Sequence, residues 1–338
     1  IASQESEVLS SVPQGTVLAP ILFLILLSDI DKDIIEAFVK SFADDTKIGK
    51  EIEEQEHIAM LQNCIIKIFE WAEENNMQFN PEKFQLLRYG KNENLKLENY
   101  HTKDGTIIQR KSMAKDLGII MQDDANFNLH YELTNNKARK IIGQVMRSFK
   151  SRDPKTMLTL WKALIVPIID YCSVLTSPYK QGDIEKLESL QRAFTNKIEL
   201  DNRLNYWNRL KYLKLYSLER RRERYTIIYA WKILENKVKN LENEPITPKT
   251  NSESRNGRTC KIPQLKSHQG TALTLQENTF KIRGPKLFNA MPKEIRNITE
   301  VNVDTFKKQL DKWLTKVPDE PGFPGYRSQR RAHSNSIL

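Results

Sequence analysis

The sequence holds three cysteines, and none stands where a disulfide or a metal would need it. Cys64, Cys172 and Cys260 are scattered and odd in number, which argues against a disulfide framework and fits a reducing compartment. The five histidines, His57, His101, His130, His268 and His333, share no metal-ligand spacing and read as structural or exposed. The longest apolar run, residues 17–27, is too short to cross a bilayer, which takes roughly 20 residues. The opening Ile1-Ala2-Ser3-Gln4-Glu5 lacks the basic start of a signal peptide. No Met begins the chain and no internal repeat runs through it, so it reads as a fragment of a non-repetitive protein.

What is present is a folded composition. The 338 residues are 39% hydrophobic and 28% charged, enough for two domains and a sizeable core. The net charge is +10, unevenly spread. Residues 1–60 carry a net −8, which leaves +18 for the rest. An acidic front suits a site that concentrates cations, and a basic rear suits a polyanion. Two solvated faces would look the same.

Periodicity divides the chain. Pro20 suits a first helical turn, and a buried helix is expected over residues 20–29. Residues 37–42 and 46–48 read as two strands joined by a tight turn at Asp44-Asp45. Ile58, Leu61, Ile65, Ile68 and Ala72 follow helical spacing up to Asn75-Asn76. Residues 84–89 read as a strand, and residues 115–121 as a strand with a kink at Gly118. Beyond Leu129 the pattern is helical, with faces at Ile141, Val145 and Phe149, at Leu158, Trp161, Ile165 and Ile168, and at Ile184, Leu187, Leu190, Phe194 and Ile198. A fourth helical region covers residues 213–235, with Trp161 and Trp231 in the core. The expected fold class is α+β. Residues 1–122 are mixed, 123–240 helical, 241–281 a linker, 282–316 a small helical unit, and 317–338 a disordered tail.

Adjacent carboxylates repel, and a proton or a divalent cation relieves the repulsion. A surface turn that favours Asp is the plainer reading of Asp44-Asp45 alone. The context is more specific. Ser11-Val12-Pro13-Gln14-Gly15-Thr16-Val17-Leu18-Ala19-Pro20, an apolar helix, and then Phe42-Ala43-Asp44-Asp45 resemble motifs B and C of reverse transcriptases. The likeness is to the non-LTR (LINE-type, jockey-like) retrotransposon enzymes. Trp71 through Asn80-Pro81-Glu82-Lys83 resembles motif D, and Lys115-Asp116-Leu117-Gly118 resembles motif E, the primer-grip hairpin. The stretches from Trp161 to Cys172 and from Leu187 to Phe194 resemble the helical region that follows the palm. Phe288-Asn289-Ala290-Met291-Pro292 and Phe306-Lys307-Lys308-Gln309-Leu310 resemble its distal part.

The resemblance implies a partial polymerase palm, an antiparallel hairpin with packed helices, then an all-helical thumb and a distal helical region. It implies RNA-directed DNA synthesis with Mg²⁺ or Mn²⁺, an RNA template, a DNA primer or target, and deoxynucleotides, with no membrane partner. An intracellular location, nucleus or cytoplasm, goes with it. Asp44 is implied as a direct metal ligand and Asp45 as a second or supporting one, since hard cations take carboxylate oxygens. Pro13, Gln14 and Gly15 would meet the nucleotide and template. Lys83 would assist at the pyrophosphate, or be a surface lysine after a turn. Leu117 and Gly118 would belong to the primer grip. Arg220, Arg221, Arg222 and Arg224, beside Tyr225, read either as phosphate contacts with base stacking or as a solvated basic face over core aromatics.

The departures matter as much. Ser11 and Ala19 stand where the family often has Gly. No Asp precedes Asp29, so the strand that carries the family's third carboxylate, motif A, is not found, and neither are the fingers. The chain alone is therefore expected to be inactive, and its hairpin to expose a sheet edge and tend to aggregate. The other readings are a catalytically dead remnant that binds nucleic acid through its basic thumb, and a degenerate reading frame.

Overall fold

Proline and a threonine hydroxyl start the first described helix. In the computed structural model, residues 15–80, 83–90, 99–238, 246, 248, 257–264, 271–320 and 336–338 are described. They fall into two units, residues 1–114 with 122–124, and residues 115–121 with 125–338.

In the first unit, α1 (Ala19–Leu26) has Pro20 in its first turn, and Thr16 Oγ1 accepts from the Ala19 N–H at 3.2 Å. A 3₁₀ turn, Leu27–Asp29, follows. This helix was expected to be buried and is not: Ile21, Leu22, Leu24 and Ile25 are 49–63% exposed. A helix that is apolar all round needs neighbours all round, and only Ala19 within it is buried. β1 (Phe38–Phe42) and β2 (Asp45–Gly49) pair antiparallel from Phe38↔Gly49 to Phe42↔Asp45. α2 (Gln55–Glu74) buries Ile58, Leu61, Ile65, Ile68 and Ala72, the face its spacing predicts. Asn75 caps it, and Asn76 turns left-handed at φ 52°.

Side chains alternate along a strand, so the β1–β2 hairpin has two faces. Val39 and Ile48 pack with Ile34, Cys64 and Ile68, the last two from α2. Phe38 and Phe42, on the other face, are 58% and 67% exposed. Trp71 Nε1 donates to Asp29 Oδ1 at 3.0 Å, and Lys67 Nζ to the Asp33 carbonyl at 2.8 Å, tying the connection before β1 to α2. The strand expected over residues 84–89 shrinks to β3 (Leu86–Leu87), parallel to β4 (Arg110–Lys111). Phe69 stacks on Phe84 with centroids 5.2 Å apart, and Phe79 meets both edge-on at 5.4 and 5.8 Å.

β5 (Met113–Asp116) and β6 (Ile119–Gln122) form the next two-stranded sheet. The second unit is helical from there: α3 (Asn128–Ser148), α4 (Pro154–Leu160), a π-helical turn Trp161–Ile165, α5 (Val166–Asp170) and α6 (Gln181–Thr195). Pro167 cannot donate a helical hydrogen bond, and the wider π turn just before it shifts the register. Trp161, Ile165, Leu190 and Phe194 form the centre of this core. Ile141 and Val145 of α3 join it, whereas Phe149 is 40% exposed.

Within the helical region expected over residues 213–235 lies α8 (Leu218–Leu234), and a helix that was not expected, α7 (Tyr206–Leu213), precedes it. Lys214, at φ 52°, breaks them, and Ser217 caps α8 through the Arg220 N–H. α9 (Thr271–Asn278), α10 (Phe280–Ala290), α11 (Lys293–Arg296) and α12 (Val303–Leu314) follow. Trp231 of α8 stacks on Phe306 of α12 at 4.3 Å in the second core of this unit.

Two expected segments are anchored at particular residues. In the linker expected over 241–281, Ile246 and Cys260 are buried, and Cys260 exchanges backbone hydrogen bonds with the Asn289 side chain. The expected disordered tail over 317–338 is, where described, also bound. Asp319 accepts from the Ser217 N–H and hydroxyl at 2.7 Å each, and Ile337 N–H donates to the buried Glu223. Among the described residues no helix is long and apolar enough to cross a membrane.

Candidate functional site

The hairpin places the carboxylate pair at its tip. Ala43, at φ 52°, and Asp44 make the two-residue turn, and Asp45 opens β2 opposite Phe42. Behind them Ser41 Oγ and Thr46 Oγ1 lie 2.9 Å apart across the strands, which pins the register. Asp44 and Asp45 are exposed, and among the described residues neither carboxylate enters an ion pair or a side-chain hydrogen bond. Their charge is thus available to a ligand.

A pair of divalent cations clamped on a phosphoryl group needs converging carboxylates from more than one segment. Among the described residues no three His, Cys, Asp or Glu side chains come together as a metal-holding group. Asp44 and Asp45 alone therefore do not fit a two-metal centre.

Pro13 and Gln14 lie outside the described residues. Gly15 sits in an exposed turn at φ 83°, with nothing within 4 Å of where a Cβ would be. Lys83 is exposed, and its described contact is a backbone hydrogen bond to Asn80.

Leu117 and Gly118 correct the kinked-strand reading. They are the two turn residues between β5 and β6, at φ 44° and 86°. Positive φ at both positions is the hairpin turn that matches strand twist. Tyr171, just past α5, donates its hydroxyl to the Leu117 carbonyl at 2.7 Å, and its ring lies 3.5 Å from a Cβ built on Gly118. Ile120 N–H donates to His130 Nδ1 of α3 at 3.4 Å, and burial holds the His130 pKa below its ordinary value. Tyr171 and His130 support the hairpin and were missed, because partners 54 and 10 residues away leave no local signature. Leucine is strained at positive φ, by roughly 1–2 kcal/mol. Leu117→Asn is expected to raise denaturant stability by about 1 kcal/mol, and Gly118→Ala to lower it by a similar amount. A chemical denaturation series checks both.

Arg220 and Arg222 are buried and Arg221 and Arg224 half-buried, so the four do not form a solvated basic face. Arg220 is fully buried, with Nε 3.5 Å from Glu223 and Nη2 donating to the Pro318 carbonyl at 2.9 Å. Arg222 is buried and donates to the carbonyls of Leu218 and Ile169. Arg221 pairs with Asp170 at 2.6 Å, where Tyr225 also donates its hydroxyl. Arg224 makes a two-pronged pair with Asp311 at 2.5 and 2.8 Å. Guanidinium groups committed in this way cross-link α8 to α5, to α12 and to the chain after α12.

A second buried network sits at the start of α8. Glu188 of α6 accepts from the Leu218 N–H at 2.8 Å and from the Tyr206 hydroxyl. Burial pushes its pKa up to about 7, against the lowering pull of those two donors.

Comparison with known proteins bears on the first unit. Residues 2–125 match the family model described as reverse transcriptase (RNA-dependent DNA polymerase). Neither the curated proteins nor the solved structures gave a match. Over these residues the chain is similar to a reverse transcriptase domain. That family works on a nucleic-acid template and primer with nucleotide substrates, and generally uses a divalent metal.

Proposed function

We propose that this polypeptide is part of an RNA-directed DNA polymerase of the non-LTR retrotransposon type, and that it contributes the second half of the polymerase metal site. In this reading the first unit is palm, residues 123–240 are thumb, and the distal helices belong to the same polyprotein. Asp44 is the direct ligand for Mg²⁺ or Mn²⁺, and Asp45 the second or supporting one. Pro13, Gln14 and Gly15 meet the nucleotide and template, Lys83 serves the departing pyrophosphate, and the Leu117-Gly118 turn supports the primer.

One observation carries the reading. The unpaired carboxylates sit at the tip of a hairpin with one face packed on α2 and the Phe38–Phe42 face bare. The exposed apolar α1 in the same unit has the same need for cover. A two-stranded hairpin is marginal without a further strand or helix against it. A segment that covered the bare face could also bring the missing carboxylate to Asp44. Among the described residues no third carboxylate joins Asp44 and Asp45, and the polypeptide of residues 1–338 is expected to add no nucleotide to a primer on an RNA template with Mg²⁺ or Mn²⁺.

A second reading is a nucleic-acid-binding remnant without catalysis. Arg220, Arg221, Arg222 and Arg224 no longer support it, because their partners lie within the protein. Exposed cations elsewhere in the second unit do.

A further inference from the structure

Two buried arginines of the second unit keep a donor to spare. Arg222 of α8 and Arg283 of α10 are 4% and 7% exposed. Arg222 gives both terminal nitrogens to the Leu218 and Ile169 carbonyls, while its enclosed Nε meets no acceptor among the described residues. Arg283 holds Nη2 3.7 Å from Glu223 Oε1, at the outer edge of an ion pair, and its enclosed Nη1 likewise meets no acceptor. Buried donors are nearly always satisfied, and an exception points to a bound water or ion.

Both side chains line the same small cavity. Its other walls are Ser177 and Pro178 in the connection between α5 and α6, Ile184 of α6, and Glu219 of α8. The space admits about one occupant of the size of a water molecule. The Ser177 hydroxyl already donates to the Ser173 carbonyl at 2.8 Å, and Pro178 and Ile184 bring apolar side chains.

Charge selects the occupant. Two guanidinium groups face one carboxylate in this lining, so the walls carry a net positive charge. Burial pulls the Arg222 pKa below its ordinary value, against the raising pull of Asp170 and Glu188. A buried charge without a counter-charge is costly. A water would accept from the two N–H groups and leave that charge uncompensated. A small anion accepts from both and compensates it. A phosphate or sulfate, with four oxygens, exceeds the space.

The cavity also lies where the two cores of this unit meet. Leu218 of α8 belongs to the first core with Leu187 and Leu190 of α6, and Ile227 and Trp231 of α8 to the second with Leu287 of α10. We propose that the cavity between α6, α8 and α10 binds one monatomic anion, chloride or another halide, through Arg222 Nε and Arg283 Nη1, and that this ion joins the two cores. The site does not depend on the polymerase reading.

The test is the thermal melt of the full chain at constant ionic strength, with sodium chloride replacing sodium gluconate, whose anion is too large for the cavity. The midpoint is expected to rise by roughly 3–5 °C for each tenfold increase in chloride above its dissociation constant. The chloride nuclear magnetic resonance line is expected to broaden with the protein and to sharpen when bromide displaces the ion. Ser177→Leu fills the cavity and leaves both arginines in place, and is expected to abolish the chloride dependence and the broadening. Arg283→Met is expected to weaken chloride binding at least about tenfold. Arg283→Lys, which keeps the charge and loses the Nη1 donor, is expected to weaken it in the same direction and serves if the Met variant does not fold. Lys308→Gln, on the exposed face of α12, is expected to leave both readouts unchanged.

A wild-type melt indifferent to chloride would overturn the proposal, since a water would then satisfy the two donors. So would an equal chloride dependence in the wild type and Ser177→Leu, or an equal response to sulfate, either of which would mark a general salt effect. Primer extension bears on none of these outcomes, so the anion site and the polymerase reading can fail separately.

Discussion

Arg220→Ala is expected to lower stability by about 3–5 kcal/mol, the cost of breaking a buried ion pair from one side. The side chain is wholly enclosed and reaches both Glu223 and the carbonyls of Val317 and Pro318. Its removal takes a donor from the Val317 and Pro318 carbonyls and weakens charge compensation at Glu223, which among the described residues keeps the Arg283 contact at 3.7 Å. For a unit of this size the melting temperature is expected to fall by roughly 10 °C, at about 2–4 °C per kcal/mol. A phosphate-binding arginine would behave differently: its replacement would leave the melt unchanged and reduce the salt slope of nucleic-acid binding by about 1. Arg220→Met/Glu223→Met is expected to recover part of the loss, because removing both charges removes the unpaired one. A calorimetric series checks this, and an unaltered melt for Arg220→Ala would contradict the buried pairing.

Stability is also expected to fall as the pH rises from about 5 to about 7.5. Glu188 has its pKa raised by burial from an ordinary 4.5 to about 7. A raised carboxyl pKa means that the folded state prefers the protonated form. Its contribution is complete below 4.5 and is lost as the pH passes through about 7. The size is roughly 3 kcal/mol, at 1.36 kcal/mol per unit. His130 works the other way, since burial lowers its pKa and favours the folded protein as the pH rises toward and above 6.5. The decisive comparison is therefore with Glu188→Gln, which keeps acceptor capacity for the Leu218 N–H and does not titrate. Denaturant midpoints across this range are expected to be flatter in the variant; parallel curves would show that Glu188 does not titrate there.

The residues that the sequence made legible were those whose partners are close in the chain or repeat at a fixed period. The five apolar positions of α2 are all buried, and the hairpin around Asp44 forms within two residues of its expected limits. Ile184, Leu187, Leu190, Phe194 and Ile198 are buried together, as are Trp161 and Trp231. What failed depended on distant or absent partners. The apolar run of α1 signals that it needs cover but does not say what provides it. Four arginines within five positions look like a solvated face, because Asp170 and Asp311 lie 51 and 87 residues away in sequence. Leu117 hid a turn, since leucine seldom takes positive φ. The π turn before Pro167 had a visible cause, the proline itself, that the periodicity reading passed over. At the site the turn that carries the carboxylate pair was legible, while the internal pairing of the arginines was not, because Asp170 and Asp311 are distant in sequence.

Primer extension tests the central claim most directly. The polypeptide of residues 1–338 is incubated with a primed RNA template, deoxynucleotides, and Mg²⁺ or Mn²⁺. With Asp44 and Asp45 as the half of a metal site that it carries, no extended product is expected from the wild-type chain or from Asp44→Ala. Processive extension by the wild-type chain that disappears in Asp44→Ala would contradict the account, since it would mean that the carboxylates in this chain already complete the centre.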